Sequence, residues 1–456
     1  MESDIPEKIK KHQFSHVIKS KTLNEYPINL EETEYEECDY EETGKTVIRS
    51  KKVRIKTTPS QKNTLKKWFK FYRDTYNETI IYIRSQIFEF RRKYLVKLNR
   101  KLFEDAKINK IPKNKKLEYR KKLFTFLGKF SLKNLRNIIN QRLGTKLDEF
   151  EKYKFPVHTK NIAIRDVCNA YKTCITLVEK EIIPKFLLRT KSKFDEKYSL
   201  VLEEQSFSKK FIDIFCVNSF KESFKVREKD SFSQHTINHE CVLQYDRLSK
   251  KIYLFIPCDK PVSTLENKKE KCAIDPGLRI FTNIYDGENF YSLDNDLLEK
   301  IKKVHIKLSK SENMKKKNIR RRLSKLRNKV IQMHWNIINK LTDRYDKIYI
   351  GRLWVKSICK KGGNLCKSQK DLSYLLSHYK FRERLKAKCG EKSVKYVEVN
   401  ESYTSKTCGK CGKCGKLKEN LGGNKNFKCD LCGLKINRDF NGARNIMIKA
   451  EKFYKI

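Results

Sequence analysis

Two pairs of cysteines near the C-terminus constrain this chain more tightly than any other stretch. Residues 408–433 read CGKCGKCGKLKENLGGNKNFKCDLCG, with Cys408-x-x-Cys411 and Cys429-x-x-Cys432 separated by 17 residues. Each pair lies in a glycine-containing turn, so two backbone knuckles can present four thiolates to one Zn²⁺ in a closed tetrahedral site. The pairs predict a structural zinc ribbon. Cys414 is a fifth candidate that could replace Cys408 or Cys411. A redox role lacks the thioredoxin-type βαβ pattern that would accompany it. A ribbon of this kind is a scaffold or a nucleic-acid contact and says little about activity.

The remaining cysteines behave differently. The total of 15 is odd, and no secretion signal is visible, which points to a reducing intracellular compartment. Cys168, Cys174 and Cys216 sit in apolar surroundings and are expected to be core thiols.

Charge narrows the partner. A formal net charge of +49 over 456 residues is self-repelling unless a polyanion neutralises it. The excess is spread through the chain, so the polyanion should be long. Nucleic acid fits. A membrane surface does not, because no apolar run approaches the length of a membrane span. Aromatic residues at 11 % and hydrophobic residues at 38 % mark a folded chain with a sizeable core.

Along the chain, residues 1–45 read as an acidic tail, since EETEYEECDYEE at 31–42 holds eight acids and no base. TVIRSKKVRIKTT from Thr46 alternates like a strand. Pro59-Ser60 then opens a helix with Leu65, Trp68, Phe69, Tyr72 and Tyr76 as a core stripe. Residues 84–190 read as helices rich in Lys and Arg (Lys93, Lys97, Arg100 and Lys101 in one of them), suited to lie on a phosphate backbone. From 191 to 270 the period falls to two. Ile212, Ile214 and Cys216 alternate, as do Leu243 and Tyr245, then Ile252, Leu254 and Ile256 across a turn at Asp246–Lys250. The strand at 46–58 could pair with this β domain and make the helical block an insertion.

Beyond residue 270 the order of elements is more specific. Cys272–Asp275 is a strand, and Arg279–Tyr285 and Phe290–Leu293 flank a DGEN turn. Long basic helices fill 297–342. The strand Lys347–Ile350, an amphipathic helix over Asp371–Lys388 with Leu372, Leu375, Leu376 and Tyr379 on one face, the strand Val394–Val399 and a last helix carrying Ala443, Met447 and Ala450 follow. Three meandering strands and then strand and helix in alternation are the order of a ribonuclease-H-like α/β fold. In that order three acids stand where element ends can converge: Asp275 ends the first strand, Glu401 follows Val394–Val399, and Asp439 begins the last helix. Phosphodiester hydrolysis needs cations to neutralise charge on phosphate and a metal-bound water, and carboxylates suit Mg²⁺. Taken singly, an acid of this kind is more often a turn residue or a helix cap.

AIDPG at 273–277, YTSKTCGKCG at 403–412 and NRDFNGARNI at 437–446 resemble the characteristic blocks of TnpB and its eukaryotic and viral relatives, the Fanzor proteins. Val53–Thr57 and TPSQ…LKKWF…RDTYN at 58–77 are similar to the family's N-terminal block, so the resemblance spans about residues 46–456. It implies a multidomain α/β protein, with a β-barrel-like wedge domain in two parts, 46–83 and 191–270, around a helical recognition domain at 84–190. A RuvC-like nuclease domain at 271–402, a zinc ribbon at 403–434 and a last RuvC segment at 435–456 complete it. It further implies a transposon-encoded or transposon-derived, RNA-guided DNA endonuclease. Its partners would be a structured guide RNA and double-stranded target DNA, read by base pairing. The acting form would be a monomeric ribonucleoprotein in the nucleus of a eukaryotic or virus-infected cell. Asp275, Glu401 and Asp439 would hold Mg²⁺.

One position departs from the pattern. Where TnpB carries its second acid, this chain has Gly351, in IYIGRLW. Fanzor-like members resemble it in lacking that glutamate and carrying another before YTSKTC, which maps to Glu401. Glu398 is the runner-up, three residues earlier and so on the other face of an unbulged strand. Gly351 also leaves open a guided or non-specific nucleic-acid binder that does not cut. An unguided transposase-like DNA enzyme is the third reading.

Overall fold

The computed structural model describes residues 46–102, 113–184, 186–207, 215–216, 219–220, 222, 224–226, 237–264, 266–310, 316–360, 363, 365–411 and 425–453. The acidic tail, Ile212, Ile214 and Cys414 lie outside them.

The alternation in TVIRSKKVRIK becomes β1 (Thr46–Lys56), with Val53 and Ile55 buried. Five helices follow: α1 (Pro59–Leu102), α2 (Lys113–Gly128), α3 (Leu132–Leu143), α4 (Lys146–Lys152) and α5 (Val157–Glu179). Then come β2 (Lys197–Leu202), β3 (Lys225–Val226), β4 (Cys241–Asp246) and β5 (Lys251–Pro261). These strands form one antiparallel sheet in the order β2-β4-β5-β1-β3, and β1 pairs with β5 from Thr46↔Pro261 to Ile55↔Ile252. The helices are therefore inserted between strands that are neighbours in one sheet. The stripe on α1 is core: Leu65, Trp68, Phe69 and Tyr72 are buried and Tyr76 packs against them. The boundary expected between residues 83 and 84 falls inside α1, which runs unbroken for 44 residues. No proline or glycine interrupts it to mark a domain edge. Of the three expected core thiols, Cys168 is buried, and Cys174 and Cys216 are half-buried.

The second sheet carries the acids. It comprises β6 (Lys269–Pro276), β7 (Thr282–Tyr285), β8 (Phe290–Ser292), β9 (Tyr345–Gly351) and β10 (Lys395–Val399), in the order β10-β9-β6-β7-β8. β6, β7 and β8 form an antiparallel meander, and β9 and β10 add in parallel. The DGEN turn closes the β7–β8 hairpin. Asp286 Oδ1 accepts from the N–H groups of Glu288 and Asn289 at 3.2 and 2.7 Å. Gly287 takes φ +96°, which a side chain would resist.

Helices α6 (Asn295–Ser309), α7 (Lys316–Arg344), α8 (Val355–Ile358), α9 (Lys367–Leu376), α10 (His378–Glu391) and α11 (Arg438–Phe453) complete this body. A two-stranded ribbon, β11 (Asn426–Lys428) with β12 (Lys435–Asn437), precedes α11. The sheet is covered on both faces, so β6 reads as a continuous apolar run, Cys272-Ala273-Ile274, rather than an alternating one. Cys272 and Ile274 face the core that includes Met333, Ile337, Phe381 and Leu385. Ala273 faces the opposite core, formed with Tyr349, Val397, Val399, Ile446, Met447 and Ala450.

The single helix expected over Asp371–Lys388 is two. Ser377 adopts φ 51°, ψ 53° and breaks the chain between α9 and α10. Leu376 stays buried, whereas Tyr379 swings out to 63 % exposure, so the four residues do not share one face. Helical spacing alone cannot register a one-residue left-handed break.

Candidate active site and metal centre

Strand alternation places Asp275 on the same face of β6 as Ala273, toward α11. Asp439 lies in the first turn of α11, where the helix dipole favours a carboxylate. Glu401 arrives from the loop after β10. Asp275 senses both other acids: burial drives its carboxyl well above the ordinary range, the charges of Glu401 and Asp439 push it further, and Arg438 offsets this in part. Burial likewise raises Glu401 to about 7, against the opposing charge of Arg382. Oε1 of Glu401 is buried without a hydrogen-bond partner.

Two glycines make room for these carboxylates. A Cβ at Gly442 would stand 2.6 Å from Oδ2 of Asp275, so only a glycine lets the backbone of α11 close onto that carboxylate. A Cβ at Gly351 would stand 2.7 Å from Cγ and 2.9 Å from Cδ of Glu401. The Glu401 side chain thus fills the space that a side chain at 351 would enter. Gly351 at the end of β9 and Glu401 after β10 therefore meet at one place.

Glu398 goes the other way. It lies on the Tyr396 face of β10, accepts from the Tyr396 hydroxyl at 2.8 Å and pairs with Arg382 at 3.5 Å and Arg352 at 3.6 Å. An offset of three residues reverses the face, and these cations occupy the carboxylate. A buried carboxylate oxygen without a partner, crowded by like charge, is costly unless a cation joins it. The all-oxygen set at Asp275, Glu401 and Asp439 could hold a hard divalent ion.

The thiolates are more tightly gathered. Among the described residues, Cys408, Cys411, Cys429 and Cys432 are the set whose ligand atoms all lie within 4.8 Å of one another. Asp275, Glu401 and Asp439 do not form a set that tight. Cys408 and Cys432 sulfurs are 3.6 Å apart, and those of Cys411 and Cys429 are 3.7 Å apart. A tetrahedron with Zn–S bonds of about 2.3 Å has edges of about 3.8 Å, so the cluster could bind zinc with little rearrangement. Backbone N–H groups of Cys432 and Leu431 pull Cys429 down to about 6, favouring the thiolate that a metal requires. Gly433, at φ +70°, turns the second knuckle.

Sequence reasoning missed how this ribbon is fastened to the acids. Asn441 and Asn445, one turn apart on α11, are buried. Asn441 accepts from the Gly409 N–H at 3.0 Å and donates to the Thr407 carbonyl at 2.7 Å. Asn445 donates to the carbonyls of Thr404 and Thr407 at 2.6 and 2.8 Å. The helix that carries Asp439 and abuts Asp275 therefore also clamps the loop running from Glu401 to Cys408. The signal was the i, i+4 spacing of two asparagines in NRDFNGARN, which puts them on one helix face.

Known proteins share sequence with most of this chain. Residues 378–446 match the family model described as the Cas12f1-like TNB domain. Residues 47–89 match a helix-turn-helix domain model of the IS605 OrfB type, although here that stretch is β1 and the first part of one continuous helix. TnpB-like protein L79 of Acanthamoeba polyphaga mimivirus is 30 % identical over 417 residues, which cover 88 % of this chain and 73 % of the relative. TnpB-like protein R854 of the same virus is 31 % identical over 420 residues, covering 88 % and 72 %. Among solved structures, a Cas12f1–sgRNA–target DNA complex aligns at 14 % identity over 88 % of this chain and 99 % of that one, with a TM-score of 0.41.

Proposed function

The chain belongs to the TnpB-like proteins, and from that premise we propose that it is an RNA-guided, Mg²⁺-dependent DNA endonuclease of the Fanzor kind, encoded by or derived from a transposon. We read the second sheet, in its order β8-β7-β6-β9-β10, as a RuvC-like core with a single cutting site. The Cys408–Cys432 cluster is its zinc ribbon. The first sheet is the wedge, with helices α1–α5 as the recognition domain. A monomeric ribonucleoprotein acting in the nucleus completes the reading.

The observation that carries it is the placement of Glu401. Its side chain, with Oε1 buried and without a hydrogen-bond partner, fills the space at Gly351. In this reading Glu401 is the second acid of the site, and Gly351 marks no lost activity. Asp275, Glu401 and Asp439 would hold the magnesium. Bound there, it would neutralise phosphate charge and make a bound water more acidic. Asp275, pressed between α11 and its sheet, positions its oxygens rigidly. Glu401 reaches in from the loop after β10, beside Gly351. Arg438 and Arg382 oppose the crowding of negative charge before the substrate arrives. The charge of +49 matches the load of a guide RNA, a heteroduplex and a displaced strand.

The test expresses the protein with its flanking genomic sequence and sequences the RNA that copurifies. A single discrete species is expected; random cellular RNA would favour an unguided transposase-like enzyme. With that RNA and Mg²⁺, plasmid cleavage should be abolished by Asp275→Ala and Glu401→Gln, with DNA binding kept. Glu398→Gln should still cut. Wild-type protein that binds its target and leaves it intact would sink the nuclease reading.

A further inference from the structure

Strands β6, β9 and β10 run in parallel, so Asp275, Gly351 and Val399 lie at one end of the second sheet. The chain leaves that end through Arg352-Leu353-Trp354 after β9 and through Glu401-Ser402-Tyr403 after β10. Ligands of open α/β sheets bind beyond the carboxyl ends of their strands. Three large rings stand in water in these segments and beside them: Trp354, Tyr403 and, in the first turn of α10, Tyr379, at 60, 61 and 63 % exposure.

The rings are held. The Arg352 N–H donates to the Val399 carbonyl at 2.9 Å and the Leu353 N–H to the Gly351 carbonyl at 3.2 Å. The Trp354 carbonyl accepts from the N–H groups of Ser357 and Ile358 at 3.0 and 3.2 Å. The Arg352 guanidinium lies 4.7 Å from the centre of the Trp354 ring, and that of Arg382 lies 6.0 Å from the centre of Tyr379. One carboxylate gathers both arginines: Glu398 is 3.6 Å from Arg352 and 3.5 Å from Arg382. Glu398, which faces away from the acid cluster, thus fixes the cations against which two of the rings rest. The two arginines differ in reach. The Arg352 side chain is 52 % exposed and can meet a phosphate, whereas that of Arg382, at 7 %, cannot.

A ring with a guanidinium against one face and most of its surface in water offers its other face to a planar ligand. A nucleobase is planar and stacks on an aromatic ring whatever its identity. Only an unpaired base can do so, because a base inside a duplex is stacked between its neighbours. Surface cations bind paired and unpaired strands alike; a ring separates them. Trp354 is three residues from Gly351, which touches Glu401, so its Cα lies within about 11 Å of that contact, the length of about three stacked nucleotides.

We propose that Trp354 and Arg352 form a stacking station for one unpaired base within about three nucleotides of the phosphodiester to be cut, the base on the indole and its phosphate on the guanidinium. The proposal rests on the reading of the acid cluster as a nuclease site. It makes Trp354 a positioning residue, which favours a strand melted at the cut over one still paired.

The experiment uses full-length protein with its copurified RNA and Mg²⁺, and a matched double-stranded target whose cut is first mapped with wild type. Further targets each carry a single abasic site, moved stepwise across the cut, and single-turnover cleavage is measured on all of them. Wild type should be slowed roughly 5- to 150-fold by an abasic site at one position near the cut, as expected for the loss of one base–aromatic stack. Trp354→Ala should slow cutting of the intact target by a similar factor and be indifferent to the abasic site at that position. Trp354→Phe should keep the position effect. Trp354→Leu, which retains an apolar side chain without a π face, should lose it, and thermal unfolding of all three variants should match wild type. The coupling between variant and abasic site is the readout, so effects of the abasic site on pairing cancel. Equal abasic penalties in wild type, Trp354→Ala and Trp354→Leu at every position would overturn the station, as would wild-type rates for both variants on intact target. Self-association of wild type that Trp354→Ala abolishes, with cleavage unchanged, would assign the rings to a protein contact instead. Wild type that cuts no target overturns the nuclease reading and the station with it; wild type that cuts without this coupling overturns the station alone.

Discussion

Replacing Gly351 by alanine separates catalysis from stability at this site. The new Cβ would meet Glu401 Cγ at 2.7 Å and Cδ at 2.9 Å, with Oε1 nearer still. Ordinary contact begins at 3.4 Å, so Cγ must retreat by about 0.7 Å and the carboxylate by more. The atoms that have to move are the far end of one flexible side chain, so refolding around the methyl group is cheap. Alanine for glycine within a strand also reduces the freedom of the unfolded chain, worth about 0.4–1 kcal/mol in favour of the fold. Stability should therefore hardly change. Cleavage should change greatly, because misplacing a reacting group by about 1 Å costs on the order of 100-fold, or about 2.7 kcal/mol of barrier. The assay is single-turnover plasmid cleavage with Mg²⁺ and the copurified RNA, alongside thermal unfolding. A Gly351→Glu/Glu401→Gly double variant should recover part of the rate that each single change loses, because both routes deliver a carboxylate to the same place. A Gly351→Ala protein that cuts within about threefold of wild type would refute the assignment of Glu401, with the factor set against the 100-fold expectation.

Other sites lead to further expectations. Gly442→Ala should impair both folding and cutting, because its Cβ would lie 2.6 Å from Asp275 Oδ2 and 3.2 Å from Cγ, and a short aspartate on a central strand has little room to give; unfolding and cleavage measured together check this. Asn445→Ala leaves the carbonyls of Thr404 and Thr407 without its amide. It should cost about 1–3 kcal/mol and speed zinc loss to a chelator by roughly tenfold or more, whereas Cys429→Ser should lose the metal altogether. Acid should destabilise the protein through His334 and His378. Burial first, then Arg384 beside His334, and His334 and Arg382 beside His378, hold each imidazole down to about 3. Their neutral forms are favoured in the fold, so their contribution is complete above the ordinary histidine pKa of about 6.5 and falls by about 1.4 kcal/mol per histidine for each pH unit below it. Both ring nitrogens of His378 lack partners, so His378→Phe should unfold later than wild type at pH 5, by roughly 2 kcal/mol in a urea titration. A variant less stable than wild type at that pH would contradict this account.

Local chemistry determined much of this protein from the sequence alone. Paired CxxC turns predict their sulfur cluster because the knuckle is built within a few residues. The DGEN turn, the α1 stripe and the alternation of the strands are likewise short-range. The order of elements anticipated the meander and the parallel additions of the second sheet, since connection rules leave few alternatives. What only the tertiary structure decided lies between residues far apart in the chain. The face from which Glu401 and Glu398 each leave, and the packing of Glu401 against Gly351 of a different strand, are of this kind. The clamp of Asn441 and Asn445 on the ribbon loop, the break at Ser377 and the unbroken passage of α1 through an expected boundary also appeared only in the fold. A spacing of residues encodes a period, whereas contact, volume and facing depend on where other segments come to rest.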